Sequence, residues 1–117
     1  MSWYLTIRLD ERYSQFTDTA RLLEVLRGLF ELEQTGDMTF GSVEPWVSVR
    51  LLVCDSSGNY SYMQPSPPFV SQVNMVELVC AYTADPAWCE RLALHIAGVL
   101  AWEGVEDSEE RRLSSPS

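Results

Sequence analysis

The stretch Trp46-Val47-Ser48-Val49-Arg50-Leu51-Leu52-Val53-Cys54 decides the fold. Val47, Val49, Leu51 and Val53 recur at every second position, the period of a β-strand, and β-branched residues favour a pleated surface. Leu52 and Cys54 make the alternate face apolar as well, so this strand is expected inside a sheet rather than at its edge. Glu44-Pro45 breaks the chain before it. Asp55-Ser56-Ser57-Gly58-Asn59 reads as a hairpin loop after it, with Tyr60 to Gln64 returning antiparallel.

Upstream, Met38 to Val43 reads as a short strand in which Gly41 weakens the run or marks a bulge, and Thr35-Gly36-Asp37 is a turn. Leu22, Leu23, Leu26, Leu29 and Phe30 form one stripe at helical spacing, which predicts a helix over 18–31 capped by Asp18 or Thr17. Ser2 to Leu9 alternates again. Trp3, Leu5, Ile7 and Leu9 face one way, and Tyr4, Thr6 and Arg8 the other.

Downstream, Pro65-Ser66-Pro67-Pro68 lacks the amides a ladder needs and reads as an extended surface loop. Val70 to Thr83 is a long strand with Val76, Leu78, Cys80 and Tyr82 inward, and Met75, Glu77, Val79 and Ala81 outward. Asp85-Pro86 opens a second helix, aspartate as cap and proline at the first helical position, where no amide is missed. Cys89, Leu92, Ala93, Ile96, Ala97 and Leu100 form its inward stripe, and Gly104 reads as its C-terminal glycine. Residues 106–117 read as a charged, flexible C-terminal tail, which leaves 1–105 as one domain.

The order β-α-β-β-β-β-α predicts an α+β protein: a two-layer sandwich with a mostly antiparallel sheet of four or five strands and two helices on one face. The first strand, helix and strand are expected to form a right-handed crossover with parallel strands. A ferredoxin-like relative is the nearest architecture.

Charge narrows the function. Seventeen carboxylates face eight arginines, lysine is absent, and the net charge is −9. Without residues 106–117 the body still carries thirteen carboxylates against six arginines. Such a surface repels nucleic acid and anionic lipid, so neither is expected as a partner. No apolar run approaches the roughly 20 residues of a membrane span, and no leader segment is recognised. Cys54, Cys80 and Cys89 are an odd, unpatterned set inside apolar segments, expected as reduced core thiols of a cytoplasmic protein.

Reactive machinery is not legible. His95, the single histidine, falls on the outer side of the second helix with Trp88, Arg91, Val99 and Trp102, away from Cys89. The carboxylates show no metal-loop spacing, the serines no nucleophile elbow and the glycines no phosphate loop. No catalytic residue, metal or cofactor is therefore expected. What stands out is aromatic. Trp46, Tyr60, Tyr62 and Phe69 are the candidate partner anchors, with Glu44, Asp55 and Glu77 as charged neighbours, and the uncovered sheet face is their natural place.

A single, lysine-free, strongly acidic α+β domain without a catalytic constellation resembles the small immunity proteins of bacterial polymorphic-toxin and contact-inhibition systems. The likeness lies in length, charge and element order over residues 1–105, and no family residue is carried over. It implies a protein that binds and neutralises a cognate toxin domain, often a nuclease with a basic cleft, by occluding its active site. The other readings are a non-catalytic homodimer or adaptor module, and a small-ligand binder or enzyme built on the sheet.

Overall fold

The computed structural model describes residues 2–29, 32–43, 46–55, 69–82, 85–107 and 111–113. Its strands are β1 (Ser2–Arg8), β2 (Thr17–Asp18), β3 (Glu33–Gly36), β4 (Thr39–Val43), β5 (Trp46–Leu52), β6 (Gln72–Val73), β7 (Met75–Ala81), β8 (Glu103–Glu106) and β9 (Arg111–Arg112). Two helices complete it, α1 (Thr19–Arg27) and α2 (Pro86–Leu100). The sheet has seven strands in the order β3-β4-β5-β7-β1-β8-β9, and β2 with β6 forms a separate two-stranded ribbon. Every ladder is antiparallel.

The class is the expected one, but strand count and order differ. The strand that follows α1 lies at the sheet edge, with three strands between it and β1, which instead pairs with β7 and β8. The expected parallel crossover and the ferredoxin-like order are thereby replaced. Periodicity tells which side chains share a face. It does not tell which strands are neighbours, because an alternating strand satisfies its face beside any partner with matching alternation. The expected strand at 60–64 and the loop at 65–68 lie outside the described residues.

Register sorts the side chains into two faces. Leu5 stands opposite Leu78, Leu78 opposite Val49, and Val49 opposite Phe40. This row and its neighbours (Ile7, Val76, Leu51; Cys80, Val47) are buried in one cluster with Leu22, Leu23 and Leu26 of α1 and Cys89, Leu92, Ala93, Ile96 and Ala97 of α2. Both helices therefore cover the same face, as their stripes predict. Tyr82, expected inward, is exposed beyond the end of β7.

Helix ends follow local chemistry. Asp18 and Asp85 cap α1 and α2 by accepting from the amides of Ala20 and Ala87, satisfying donors that have no partner inside the helix. Helix α1 stops at Arg27, short of the predicted 31. From Gly28 onward the amides of Gly28, Leu29 and Leu32 reach back only three residues, so the chain tightens and leaves the α-helical path. At the end of α2 the left-handed residue is Ala101 (φ 57°), not Gly104. Gly104 instead sits in β8, where a Cβ would come within 3.2 Å of Leu113 Cδ1. Trp102, assigned above to the outer side, is buried.

The sheet also continues past residue 105, where the sequence reading ends the domain. Glu106 pairs with Leu5 and with Arg111, the Asp107 amide donates to the Tyr4 carbonyl, and Leu113 is buried in the main core.

Candidate functional site

The face of the sheet turned away from the helices divides into three bands. At the end near residue 75 it is closed: Leu52, Cys54 and Met75 form a small buried cluster against which the Tyr13 ring packs. Asn74 ties this closure together, bonding the backbone of Cys54 on both sides (2.9 Å each) and the Tyr13 carbonyl (3.1 Å). Asp10 holds the same loop from its other side through the Arg12 and Ser14 amides and the Ser14 hydroxyl, contacts that draw its carboxyl below the usual carboxylate range.

The middle band is polar. Glu77 Oε1 lies 3.6 Å from Arg50 Nη1, opposite it in the β5–β7 register. The Thr6 hydroxyl donates to Asp107 (2.6 Å), and Arg8 binds Glu103 (3.1 Å) and the Tyr13 hydroxyl (3.0 Å). Thr6, Arg8, Tyr13, Val105 and Asp107 line a depression of about 210 Å³, but its polar groups are largely engaged with one another.

The third band, near residues 46 and 81, is open. Register places Glu33, Gly41, Ser48, Val79 and Tyr4 in one row across five strands, with Val43 and Trp46 opposite each other in the next row. Tyr4 is 42%, Trp46 47% and Val43 87% exposed, so large apolar side chains stand in solvent on the face turned away from α1 and α2. A second depression of about 210 Å³ opens here. Gly41 has no side chain to fill it, Trp46 and Val43 form one wall, and Glu33 and Thr35 stand on the other.

The expected site residues do not come together in one place. Trp46 belongs to the open band. Phe69 is exposed, but it precedes β6, which belongs to the ribbon with β2 and not to the sheet that carries Trp46. Asp55 follows Cys54, which belongs to the closed end. Glu77, expected as a surface charge, is only 5% exposed and paired with Arg50. That is a correction with a clear cause, since an ion in the centre of a sheet is tolerated where a counter-ion faces it. Tyr60, Tyr62 and Glu44 lie outside the described residues. Tyr4, Glu33, Val43 and the Gly41–Ser48 gap are the members that sequence reasoning missed. Alternation marks Tyr4 as outer-face, but only the register brings it beside Val79 and into the row of Ser48.

Other chemistry is sparse. His95 is exposed on α2, while Cys89 faces the core. Among the described residues no group of three or more His, Cys, Asp or Glu side chains could hold a metal ion. No helix among them is long and apolar enough to cross a membrane. The buried Cys80 thiol is held far above its usual range by its contact with Cys89 and by burial. No family model, curated protein or solved structure matches the chain.

Proposed function

We propose that this protein works by binding, as an immunity-type inhibitor that neutralises a basic toxin domain by laying its open sheet face over that domain's active site. The observation that carries this reading is the exposed Tyr4, Val43 and Trp46 band on the sheet face that neither helix covers. Tyrosine and tryptophan on such a face supply large contact area at little entropic cost, which is why they anchor interfaces. The net charge of −9 complements a cleft built to hold phosphate, so the chain as a whole supplies attraction and the open band supplies anchors. The protein supplies no reaction of its own in this scheme, and its three thiols suit the reducing cytoplasm.

The test is a mixture of the purified protein with the toxin domain encoded beside its gene. A stoichiometric complex that blocks toxin activity is expected. The Trp46→Ala and Tyr4→Ala variants are each expected to weaken it by roughly tenfold or more, the cost of losing an interface anchor. Absence of a complex together with absence of protection in cells overturns the reading. A light-scattering mass of two subunits that toxin does not alter reassigns the open band to a homodimer.

A further inference from the structure

The depression beside Trp46 has a shape and chemistry of its own. Its floor is Gly41 on β4 and Ser48 on β5, the first without a side chain and the second with a small one. A Cβ on Gly41 would already touch the Thr35 side chain at 3.6 Å and the Val47 carbonyl at 3.2 Å, so the gap exists because glycine stands there. One wall is the Trp46 indole on β5. The other, across β4, carries the exposed carboxylate of Glu33 on β3. Strands two places apart are about 10 Å apart, and Trp46 stands one row along from Glu33, so the two side chains start roughly 12 Å apart, room for one flat side chain between them.

We infer that this slot is the anchor pocket for an arginine side chain of the basic partner, its alkyl stem over Gly41 and Ser48, its guanidinium stacked on Trp46 and bonded to Glu33. The inference rests on the binding role proposed above and deepens it. Each part of the pocket matches a part of that side chain. The low floor leaves room for the methylenes, the indole face attracts a planar cation, and the carboxylate accepts a two-pronged hydrogen bond. Arginine fits better than lysine, because a delocalised, weakly hydrated guanidinium stacks on an aromatic face and still presents its fork to a carboxylate. An anionic or purely apolar ligand would leave Glu33 facing a like charge or nothing. The excess of carboxylates over the whole chain acts in the same direction by drawing cationic partners toward the surface.

The experiment is an amide and indole NMR titration of the whole protein with Nα-acetyl-arginine methylamide, and in parallel with its norleucine analogue. Saturable shifts at the Trp46 indole and the Gly41 and Thr35 amides are expected with arginine at millimolar concentration. They are expected to be absent with norleucine and at least fivefold weaker in Glu33→Gln and in Trp46→Ala. No shifts with arginine, or equal shifts with norleucine, overturn the pocket. The toxin complex separates this failure from the broader one. If Trp46→Ala weakens that complex tenfold while Glu33→Gln leaves it unchanged, the face binds but the arginine pocket is wrong. If neither substitution matters, the proposed function fails as well.

Discussion

Asn74 is one side chain that joins two stretches of backbone. It is 1% exposed, its oxygen accepts the Cys54 amide, and its nitrogen donates to the carbonyls of Cys54 and Tyr13. Tyr13 has φ 55°, a left-handed conformation uncommon for a large residue, so the loop needs such ties to stay in place. Removing the amide strands buried donors and acceptors, each of which costs about 1–3 kcal/mol when left unpaired. Asn74→Ala is therefore expected to lower the unfolding free energy by about 2–4 kcal/mol in a denaturant titration, with the midpoint shifted and the slope little changed. Cys54, beside it, adds a pH dependence. Burial first and the Asp55 charge second push its thiol up to about 11, against an ordinary value of 9.0, with Arg8 opposing. The folded state thus holds this proton more tightly than the unfolded chain. Its contribution is intact below pH 9 and lost as pH rises toward 11. Thermal melts between pH 8 and 11 are expected to fall more steeply for the native protein than for Cys54→Ala.

At the scale of elements, the ends of α2 show what the sequence discloses and what it conceals. Asp85-Pro86 announces the start because cap and proline act on their immediate neighbours, and the aspartate does accept from Ala87. The sequence points to Gly104 as the stop, since glycine is the usual left-handed residue, yet the chain turns at Ala101 and uses Gly104 to let Leu113 approach. An alanine in that conformation carries a steric penalty that glycine lacks. Ala101→Gly is accordingly expected to raise stability by about 1 kcal/mol, read as an increase in unfolding midpoint. The same distinction between local and distant causes runs through the rest of the fold. Alternation in Trp46–Cys54 and the helical stripes at 22–26 and 89–97 are set by near neighbours, and the buried cluster contains them as expected. By contrast, β3, β8 and β9 have two to four residues each and exist because a partner strand supplies their hydrogen bonds. Glu106, Asp107 and Arg111 to Leu113 look like a tail in the sequence, since their charges carry no trace of the β1 and β8 edges and the Gly104 gap that receive them. The binding site divides along the same line. Trp46 was legible as an aromatic in a strand, whereas Glu33, Gly41 and Tyr4 join it only through register.

For the molecule as a whole, charge and shape act on different steps of association. Carboxylates outnumber arginines by nine over the entire chain, so the attraction that draws in a basic partner is long-ranged and spread over the surface. Tyr4, Val43 and Trp46 act only on contact, where they exclude water from a face held in place by its β4–β5–β7–β1 ladders. Salt screens the first effect within about 8 Å at physiological strength and leaves the second nearly untouched. Measured by surface plasmon resonance against the toxin domain, raising sodium chloride from 50 to 500 mM is expected to slow association by about tenfold or more while dissociation changes little. Trp46→Ala should do the reverse, speeding dissociation roughly tenfold at every salt concentration with association near the native rate. A native complex whose association ignores salt would remove the acidic body from the mechanism. A Trp46→Ala complex that dissociates as slowly as the native one would move the contact off the open band.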